Sequence, residues 1–583
     1  MLKIGNLWYL KGDMHLHTNY SDGEQLEAVL AQIVNCGMDF CAVTDHDTFS
    51  GSRAACEMLK TAAAPFPILI RGMEATCAAC HMLAYGTLKE FDKTGPLAEV
   101  CTNIRKNGGY AVAAHPDWNI FRSCFTENGL FQSLVEGDFV DGVELMNFYK
   151  PDDPSEIPAE WTNQYYLCKL REGKPFALTV GSDAHRVEDI TPDRFVAVFA
   201  ERCDEAAVLE AIFKKRLSVA VWGEYAFGTP EALELFRQAQ KLEKHQKLSC
   251  GLKRSRQKDG EILQIEPQPE ECYICGDLSA LDNGRFFKEG FAGGNALFLL
   301  RDGGNCSAVS VSFQDDVEMR CIPVQKEGRI VPQVDRAAGE HRQGETLLFK
   351  GNVNGRPFLK KTAEHRFLLP EHPLTDDGGR NDIFIEVYTQ DGILLGRKTW
   401  DFPIARCGRR YAIENLRSDA PPLDGKEVSG SFCFVQEKGN TVLEMEICDS
   451  HFFQPFSGFP MYMGDSIQFG LDFACAASMN DLTEKKIWEL GIAMTPAGCE
   501  LIAYNTPWGH QKSEITQIRY NGCREGDFQR YRLILPPEFT GATFGFNMIY
   551  NINDGGGRRG YLGWRNGIGD RKRSADWGYV VLN

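Results

Sequence analysis

Residues 13–18, near the N-terminus, contain the first side chains whose spacing could support chemistry. His15 and His17 are two positions apart and follow the apolar run 7–10, which predicts a strand. Side chains two apart on a strand point to the same face, so the two imidazoles would project together. Two imidazoles at a strand end suit a divalent metal ion, although a lone His-x-His pair is more often an ordinary surface or core feature.

The elements that must position this pair occupy residues 1–220. Stretches with apolar residues at helical spacing alternate there with short, nearly continuous apolar runs. This alternation predicts parallel strands covered by helices, and in a closed barrel the strand ends meet on one rim where catalytic residues collect. The polar residues that follow or adjoin the predicted strands are His15, His17, Asp22, His46, Glu74, His81, His115, Asp183 and His185.

Short motifs accompany these residues in a fixed order along the chain. They are His15-x-His17, Ser-Asp-Gly at 21–23, Thr-Asp-His-Asp at 44–47, Gly-x-Glu at 72–74, His81 ahead of Leu-x-Tyr-Gly, Ala-His-Pro at 114–116 and Gly-Ser-Asp-Ala-His at 181–185. Over residues 8–222 this order resembles the PHP (polymerase and histidinol phosphatase) family. The resemblance implies a distorted barrel of seven strands with outer helices, a (β/α)7 barrel.

The resemblance also implies a set of metal ligands. His15, His17 and Asp183 would hold a first ion. Glu74 would bridge the first ion to a second, which His81 and His115 would complete. A third ion would be held by Asp22, His46 and His185; many relatives have histidine where Asp22 stands, so occupancy of this site stays open. Two or three divalent ions are therefore expected, and the mixed ligands do not choose among Mn, Zn and Fe.

Such a centre predicts hydrolysis of a small phosphate ester. A hydroxide shared by two metals would attack phosphorus while the metals neutralise charge on the phosphoryl oxygens. The ester could be a phosphodiester or a phosphomonoester, including a nucleotide or a sugar phosphate. With the third site empty, His46 or His185 could protonate the leaving oxygen, since imidazole has a suitable pKa. The predicted catalytic residues are His46, His185 and Asp183.

Candidate substrate contacts follow the predicted strands. Arg122, Lys150 and Arg186 could bind phosphate, although surface cations are common. Asn147 and Glu144 close a predicted strand, and each could touch substrate or support neighbouring residues. Asp45 and Asp47 are better explained as acids that hold a ligand histidine or cap a loop.

The whole-chain totals exclude several classes of function. The chain has 583 residues and a net charge of −17, so extended nucleic-acid binding is disfavoured. Neither a signal peptide nor a run of apolar residues long enough to span a membrane is apparent. The 20 cysteines are scattered through periodic segments and predict free thiols in a reducing, cytoplasmic compartment. Cys77 and Cys80 form a tight pair, for which a structural role is favoured.

Beyond residue 235 the pattern changes. Residues 236–262 predict a helix tail and a linker, and 263–405 a linking β-sandwich, because alternating runs are separated by Gly, Asp and Asn clusters. In residues 406–583 the order Gly-Asp-Ser-Ile-Gln-Phe at 464–469, Phe-Gly-Phe-Asn at 544–547, Gly-Trp at 563–564 and Trp-Gly at 577–578 resembles family-9 carbohydrate-binding modules. A carbohydrate partner could stack on Trp508 or Trp564, although a core or interdomain position is favoured for both.

Two alternative functions remain open at this stage. The chain could be a carbohydrate-binding or scaffold protein with a barrel that does not turn over, or a metal-dependent hydrolase of a non-phosphate bond such as an amide. The complete ligand set disfavours the first alternative. Phosphate-binding groups, above all Arg186, distinguish a phosphoesterase from the second.

Overall fold

The structure is a computed structural model. It describes residues 2–582 apart from 78–79, 94, 118–124, 127–128, 146–159, 243–247, 249, 258, 283, 303–304, 339–343, 419–427, 473–486, 508–510, 540, 554, 556–557, 566 and 570–573. The chain forms two compact units. Unit 1 comprises residues 1–253, 264–285 and 295–311, and unit 2 comprises residues 254–263, 286–294 and 312–583.

Unit 1 contains a barrel-like sheet that nearly closes on itself. Its strands are β1 Leu2–Ile4, β2 Leu7–Leu16, β3 Phe40–Val43, β4 Ile68–Thr76, β5 His81–Tyr85, β6 Tyr110–Ala113, β7 Gly142–Glu144, β8 Ala177–Thr179, β9 Arg194–Ala200, β10 Ser218–Trp222 and β11 Tyr225–Gly228. They follow the order β11-β10-β9-β2-β3-β4-β5-β6-β7-β8, with β1 beside β2. Near the point of closure, the Ser218 hydroxyl on β10 lies 3.4 Å from the Leu178 carbonyl on β8.

The strand directions are mixed, whereas the sequence pattern predicted parallel strands. Parallel pairing joins β2 to β3, β3 to β4, β6 to β7 and β7 to β8. Strands β4 and β5 are antiparallel because only residues 77–80 separate them, and so short a link cannot make a parallel crossover. A barrel is therefore present, and its finer (β/α)7 arrangement stays a prediction.

Most helices of unit 1 lie in stretches where apolar residues recur at helical spacing, but the sequence did not predict the helix at 130–136. They are α1 Leu26–Asn35, α2 Ser50–Thr61, α3 Leu97–Lys106, α4 Leu130–Glu136, α5 Glu160–Arg171, α6 Glu205–Phe213 and α7 Pro230–Leu242. In α1 the buried positions include Leu26, Val29, Leu30 and Ile33, one face of the helix. These side chains join a core with strand residues of the barrel, so the predicted packing of this helix against the sheet is confirmed.

Short strands follow the barrel where the sequence predicted a linker and part of a sandwich. They are β12 Gly251–Arg256, β13 Gly260–Glu266, β14 Glu271–Gly276, β15 Ser279–Ala280, β16 Arg285–Glu289, β17 Gly294–Asp302 and β18 Asn305–Phe313. Within unit 1, β14, β17 and β18 form one sheet. Asn35 of α1 bonds to Ala308 of β18 through both backbone groups, at 2.9 and 3.0 Å. The four-part domain division predicted from the sequence stays a prediction.

Unit 2 is built from strands over its described residues. They are β19 Val317–Lys326, β20 Arg329–Ala338, β21 Leu347–Val353, β22 Arg356–Thr362, β23 Arg366–Leu368, β24 Arg380–Tyr388, β25 Leu394–Arg406, β26 Arg410–Ile413, β27 Asn415–Ser418, β28 Val428–Glu437, β29 Asn440–Asp449, β30 Ser466–Asp472, β31 Trp488–Thr495, β32 Gly498–Asn505, β33 Arg519–Glu525, β34 Phe528–Leu535, β35 Thr543–Asn553, β36 Arg558–Gly563 and β37 Gly578–Val581. Alternating burial along β24 and β29 agrees with the predicted sandwich pattern.

One sheet of unit 2 runs through both regions that the sequence divided at residue 405. Strand β25 pairs in parallel with β37, which places residues 404–406 beside residues 579–581. That sheet follows the order β22-β21-β24-β25-β37-β35-β30-β31-β32, and a second sheet follows β26-β28-β29-β34-β33. This long-range pairing has no local sequence signature, which is why periodicity alone could not predict it.

The candidate sugar-stacking residues are only partly described. Trp564 is 6% exposed, and its ring lies 5.0 Å from that of Phe432 and 5.9 Å from that of Phe546. It is therefore a core residue, the favoured interpretation. Trp508 lies outside the described residues. Among the helices that the structure does describe, none combines the length and the apolar character needed to cross a bilayer.

Candidate metal centre

Strand β2 carries the two leading histidines to the barrel rim. It runs to Leu16, six residues beyond the predicted run, because the polar end of the strand is buried. His15 and His17 are both fully buried, and their ring centroids are 5.1 Å apart. The predicted projection of the two imidazoles toward a shared site is thus what the structure shows.

The segment after β8 runs directly beside the end of β2. The Asp183 N–H donates to the His15 carbonyl at 2.9 Å, and the His17 N–H donates to the Ala184 carbonyl at 3.0 Å. A Cβ on Gly181 would lie 2.2 Å from the His15 Cβ, so only glycine allows this approach. This contact brings Asp183 to the histidine pair across 166 residues of chain.

Glu74, in β4, lies at the centre of the site. Its side chain is fully buried. Imidazole nitrogens of His15, His17 and His46 lie 3.2, 3.4 and 3.1 Å from its Oε2. Those of His81 and His115 lie 3.0 and 2.8 Å from its Oε1. Five imidazoles therefore surround one carboxylate, and its role as a bridge between two metal ions stays a prediction.

Eight residues of the expected ligand set fall in three overlapping groups, and the ninth, His115, lies 2.8 Å from Glu74. Within each group the ligand atoms lie within 4.8 Å of one another. The first group is His17, Asp22, His46 and His185, the second is His15, His17, Glu74 and Asp183, and the third is His46, Glu74 and His81. His17, His46 and Glu74 each belong to two groups. Which residue would hold which ion stays a prediction.

Burial and neighbouring charges shift the pKa values of the clustered residues in opposite directions. Burial alone would raise the pKa of Glu74, but His15, His81 and His46 hold this pKa well below its usual range. Burial would lower the pKa of His17, but the neighbouring carboxylates of Asp183 and Glu74 raise this pKa to about 10. For His46 burial prevails and lowers the pKa to about 4. His46 is therefore neutral near pH 7, and one of its ring nitrogens has a lone pair to offer.

The donor set fits divalent metal ions. Among the described residues, His15 Nε2 and Glu74 Oε2 have no hydrogen-bond partner of normal geometry, although both atoms are buried and lie 3.2 Å apart. A cation between them would accept a lone pair from each. Mixed imidazole and carboxylate ligands suit divalent ions such as Zn, Mn or Fe, and which ion binds stays a prediction.

Three acids brace the loops that carry the ligands. Asp45 accepts bonds from the Thr18 N–H at 2.7 Å and the Ser21 hydroxyl at 2.9 Å. Asp47 accepts from the Thr76 N–H at 2.8 Å and pairs with the buried Lys93 at 2.5 Å. These contacts agree with the predicted loop-capping roles. Sequence reasoning missed Asp13, which accepts the N–H groups of His15 and Ser182, each at 3.0 Å. An acid two positions before His-x-His was the available signal.

Most of the candidate substrate contacts lie outside the described residues. Arg186 is well exposed, and its guanidinium lies 3.6 Å from the Glu188 carboxylate. Its role in phosphate binding stays a prediction. Arg122, Lys150 and Asn147 lie outside the described residues. Cys77 and Cys80 are both buried, and the Cys77 N–H donates to the Cys80 carbonyl at 3.0 Å, which agrees with the structural role favoured for them.

Comparisons with known proteins give distant structural likenesses. No protein-family model and no curated protein matches the sequence. A two-domain protein of Bacteroides vulgatus, containing a predicted PHP-like metal-dependent phosphoesterase, is 18% identical over 54% of this chain and 97% of its own, with a TM-score of 0.34. A family-9 carbohydrate-binding module of Caldicellulosiruptor kristjanssonii, in complex with glucose, is 12% identical over 31% of this chain and 95% of its own, with a TM-score of 0.23.

A third likeness is to an amidohydrolase of Chromobacterium violaceum with bound sulfate and no metal. It is 16% identical over 31% of this chain and 89% of its own, with a TM-score of 0.23. Both kinds of protein that the sequence resembles, a PHP protein and a family-9 module, are thus among the similar structures. The likenesses are too distant to bear on activity, which depends on the geometry of this chain's own residues.

Replacing Glu74 tests the centre directly. We expect Glu74→Gln to weaken metal binding more than about tenfold, because the neutral amide loses the charge that two groups of ligands share. Metal content per chain, measured by elemental analysis after dialysis, should fall with it. Asp141→Asn, which alters a carboxylate outside the cluster, is the control. Equal metal content in Glu74→Gln and the unaltered protein would contradict a centre at Glu74.

Metal binding should release protons. In the metal-free site the pKa of His15 lies well above its usual range and that of His17 is about 10, so both are protonated at pH 7. A ligand imidazole must be deprotonated, so at least two protons should leave on binding, and affinity should rise with pH through the pKa of His17. Calorimetric titration with Zn²⁺ in buffers of different ionisation enthalpy measures this number. A binding enthalpy independent of buffer would contradict the protonation states described here.

Proposed function

We propose that this chain hydrolyses a small phosphate ester with two or three divalent metal ions at the barrel rim. The observation that carries the proposal is the buried Glu74 carboxylate with five imidazole nitrogens 2.8–3.4 Å from its oxygens. A buried carboxylate with so many imidazoles around it needs positive charge to compensate it, from imidazolium hydrogens or from bound cations. The (β/α)7 arrangement implied by the family resemblance is part of the same proposal.

Bound divalent ions supply an activated water and neutralise the charge of a phosphoryl group. The residues of the chain have their own tasks around them. His15, His17, Asp183, Glu74, His81 and His115 form the closed side of the site, where their side chains are no more than 7% exposed. These residues exclude solvent and hold the charges in place.

The substrate is proposed to enter from the opposite side. Asp22, His46 and His185 are 32%, 27% and 37% exposed, the most open members of the cluster. The His185 Nε2 lies 3.4 Å from an Asp22 oxygen. Burial lowers the pKa of His185, but the Asp22 charge outweighs this and raises it. His185 can therefore hold a proton for a leaving oxygen, whereas the neutral His46 is better suited to accept one or to bind a cation.

Substrate class and location complete the proposal. A nucleotide or a sugar phosphate fits the function, with monoester or diester preference left to measurement. A carbohydrate contact in unit 2 gains no support from Trp564, which is buried. The described cysteines form no disulfide, which supports the proposal of a reducing, cytoplasmic compartment.

Chelation tests the proposal. Treatment with EDTA should abolish hydrolysis of p-nitrophenyl phosphate or bis-p-nitrophenyl phosphate, and Mn²⁺ or Zn²⁺ should restore it. The residues on the closed side of the site only hold the metal ions, so hydrolysis should not proceed without these ions. The release of p-nitrophenol measures the loss of activity with EDTA and its recovery with metal. Activity that survives the chelator would exclude the function, and cleavage of p-nitroacetanilide alone would favour the amide-hydrolase alternative.

Arg186 tests the phosphate specificity. Arg186→Ala should raise KM for phosphate esters about tenfold, equivalent to ~1.4 kcal/mol, by removing a bidentate phosphate contact. Steady-state kinetics measures KM and kcat separately. Arg202→Ala is a matched control, since both side chains are exposed and paired with a nearby acid, at 62% and 58% exposure. A KM equal to that of the control would remove Arg186 from the substrate site.

A further inference from the structure

Glu144 is a buried acid that the expected ligand set does not include. It is the last residue of β7 and is fully buried. Its two carboxylate oxygens lie 3.0 and 3.2 Å from His15 Nδ1. Its Oε2 also accepts the backbone N–H of His115 at 3.0 Å. One carboxylate therefore contacts two residues of the candidate metal centre that are separated by 100 positions in the chain.

The contact with His15 fixes which ring nitrogen faces the centre. A carboxylate can only accept, so His15 Nδ1 must donate its hydrogen to Glu144. His15 Nε2, on the far side of the ring, lies 3.2 Å from both Glu74 and Asp183. Because Nδ1 carries the hydrogen, Nε2 keeps a lone pair for a cation once its own proton has left. An acid on the outer nitrogen also holds the ring in one rotation.

The contact with His115 acts through the backbone. His115 has a φ of +26°, a value that residues other than glycine rarely adopt. Its N–H bond to Glu144 helps to hold this conformation. That conformation places His115 Nε2 at 2.8 Å from Glu74 Oε1.

We propose that Glu144 is a positioning residue that sets the orientation of His15 and the backbone of His115 together, and so tunes the affinity of the centre for divalent metal. It acts through these two residues and touches no substrate. The inference rests on the proposed function only in that both need a metal at this rim. It adds a specific claim, that metal affinity depends on an acid outside the ligand set.

Glu144 also contributes charge. Its carboxylate lies behind the ring of His15, on the side away from Glu74, and adds a negative charge to a buried site that would hold cations. Orientation and charge can be separated by two variants. Glu144→Gln keeps the length and one acceptor but removes the charge, whereas Glu144→Asp keeps the charge and withdraws it by one methylene.

The test is a Zn²⁺ titration of the full-length protein, stripped of metal and followed by calorimetry. Both variants should lower the affinity by about 10–100-fold, the range found when an acid that supports a metal-bound histidine is replaced. Asp141→Asn is the matched control. Asp141 lies one residue before β7 and accepts the Ala111 N–H at 2.7 Å, outside the cluster. The affinity of this variant for Zn²⁺ should therefore stay unchanged.

A second measurement separates positioning from general stability. The melting temperature of the metal-free variants should stay close to that of the unaltered protein, while the rise on adding Zn²⁺ should shrink. Unchanged affinity in both variants would overturn the proposal, and so would a large loss of metal-free stability with normal affinity. If Glu144→Asp alone retains affinity, charge is what matters and the positioning role is overturned.

The outcome is distinguishable from that of the proposed function. An unaltered protein that binds Zn²⁺ but cleaves no phosphate ester would refute the function and leave the positioning role intact. An unaltered protein that binds no metal would overturn both.

Discussion

The burial of the Glu74 carboxylate is the constraint on which the rest of the barrel rim depends. A carboxylate withdrawn from water is stable only when hydrogen bonds or opposite charges surround it. Here imidazoles from β2, from the loop after β3, from β5 and from the end of β6 supply them, at 2.8–3.4 Å. Each of these residues lies at or just beyond a strand end, so the rim can exist only if the sheet curves enough to bring those ends together.

Strained backbone at the rim is a consequence of this convergence. Asp47, His115 and Asp183 have φ values of +56°, +26° and +52°, uncommon for residues with a Cβ. Each belongs to, or adjoins, the ligand cluster. Hydrogen bonds to carboxylates brace two of these segments, through Asp47 itself and through Glu144 to His115. The fold thus stabilises locally unfavourable conformations so that the side chains meet at one point.

The second half of the chain has a different sequence pattern from the first. Its strands alternate buried and exposed residues and form large sheets, and the aromatic residues that could have met a sugar are partly used for packing. Trp564 illustrates the difficulty, because a tryptophan that stacks on a ligand and one that packs in a core have the same local sequence. The proposed chemistry is therefore confined to the barrel of unit 1.

The sequence by itself determined the identity of the nine clustered residues, the positions of most strands and helices, and the kind of ion they suit. These follow from local properties, namely residue type, periodicity and position after a strand. Only the tertiary structure decided the mixed strand directions, the burial of Trp564 and the contacts of Glu144. It also decided that His17 and His46 each belong to two of the ligand groups. Those features depend on residues far apart in the chain, whose contacts arise from sheet closure and core packing and leave no pattern in a short stretch of sequence.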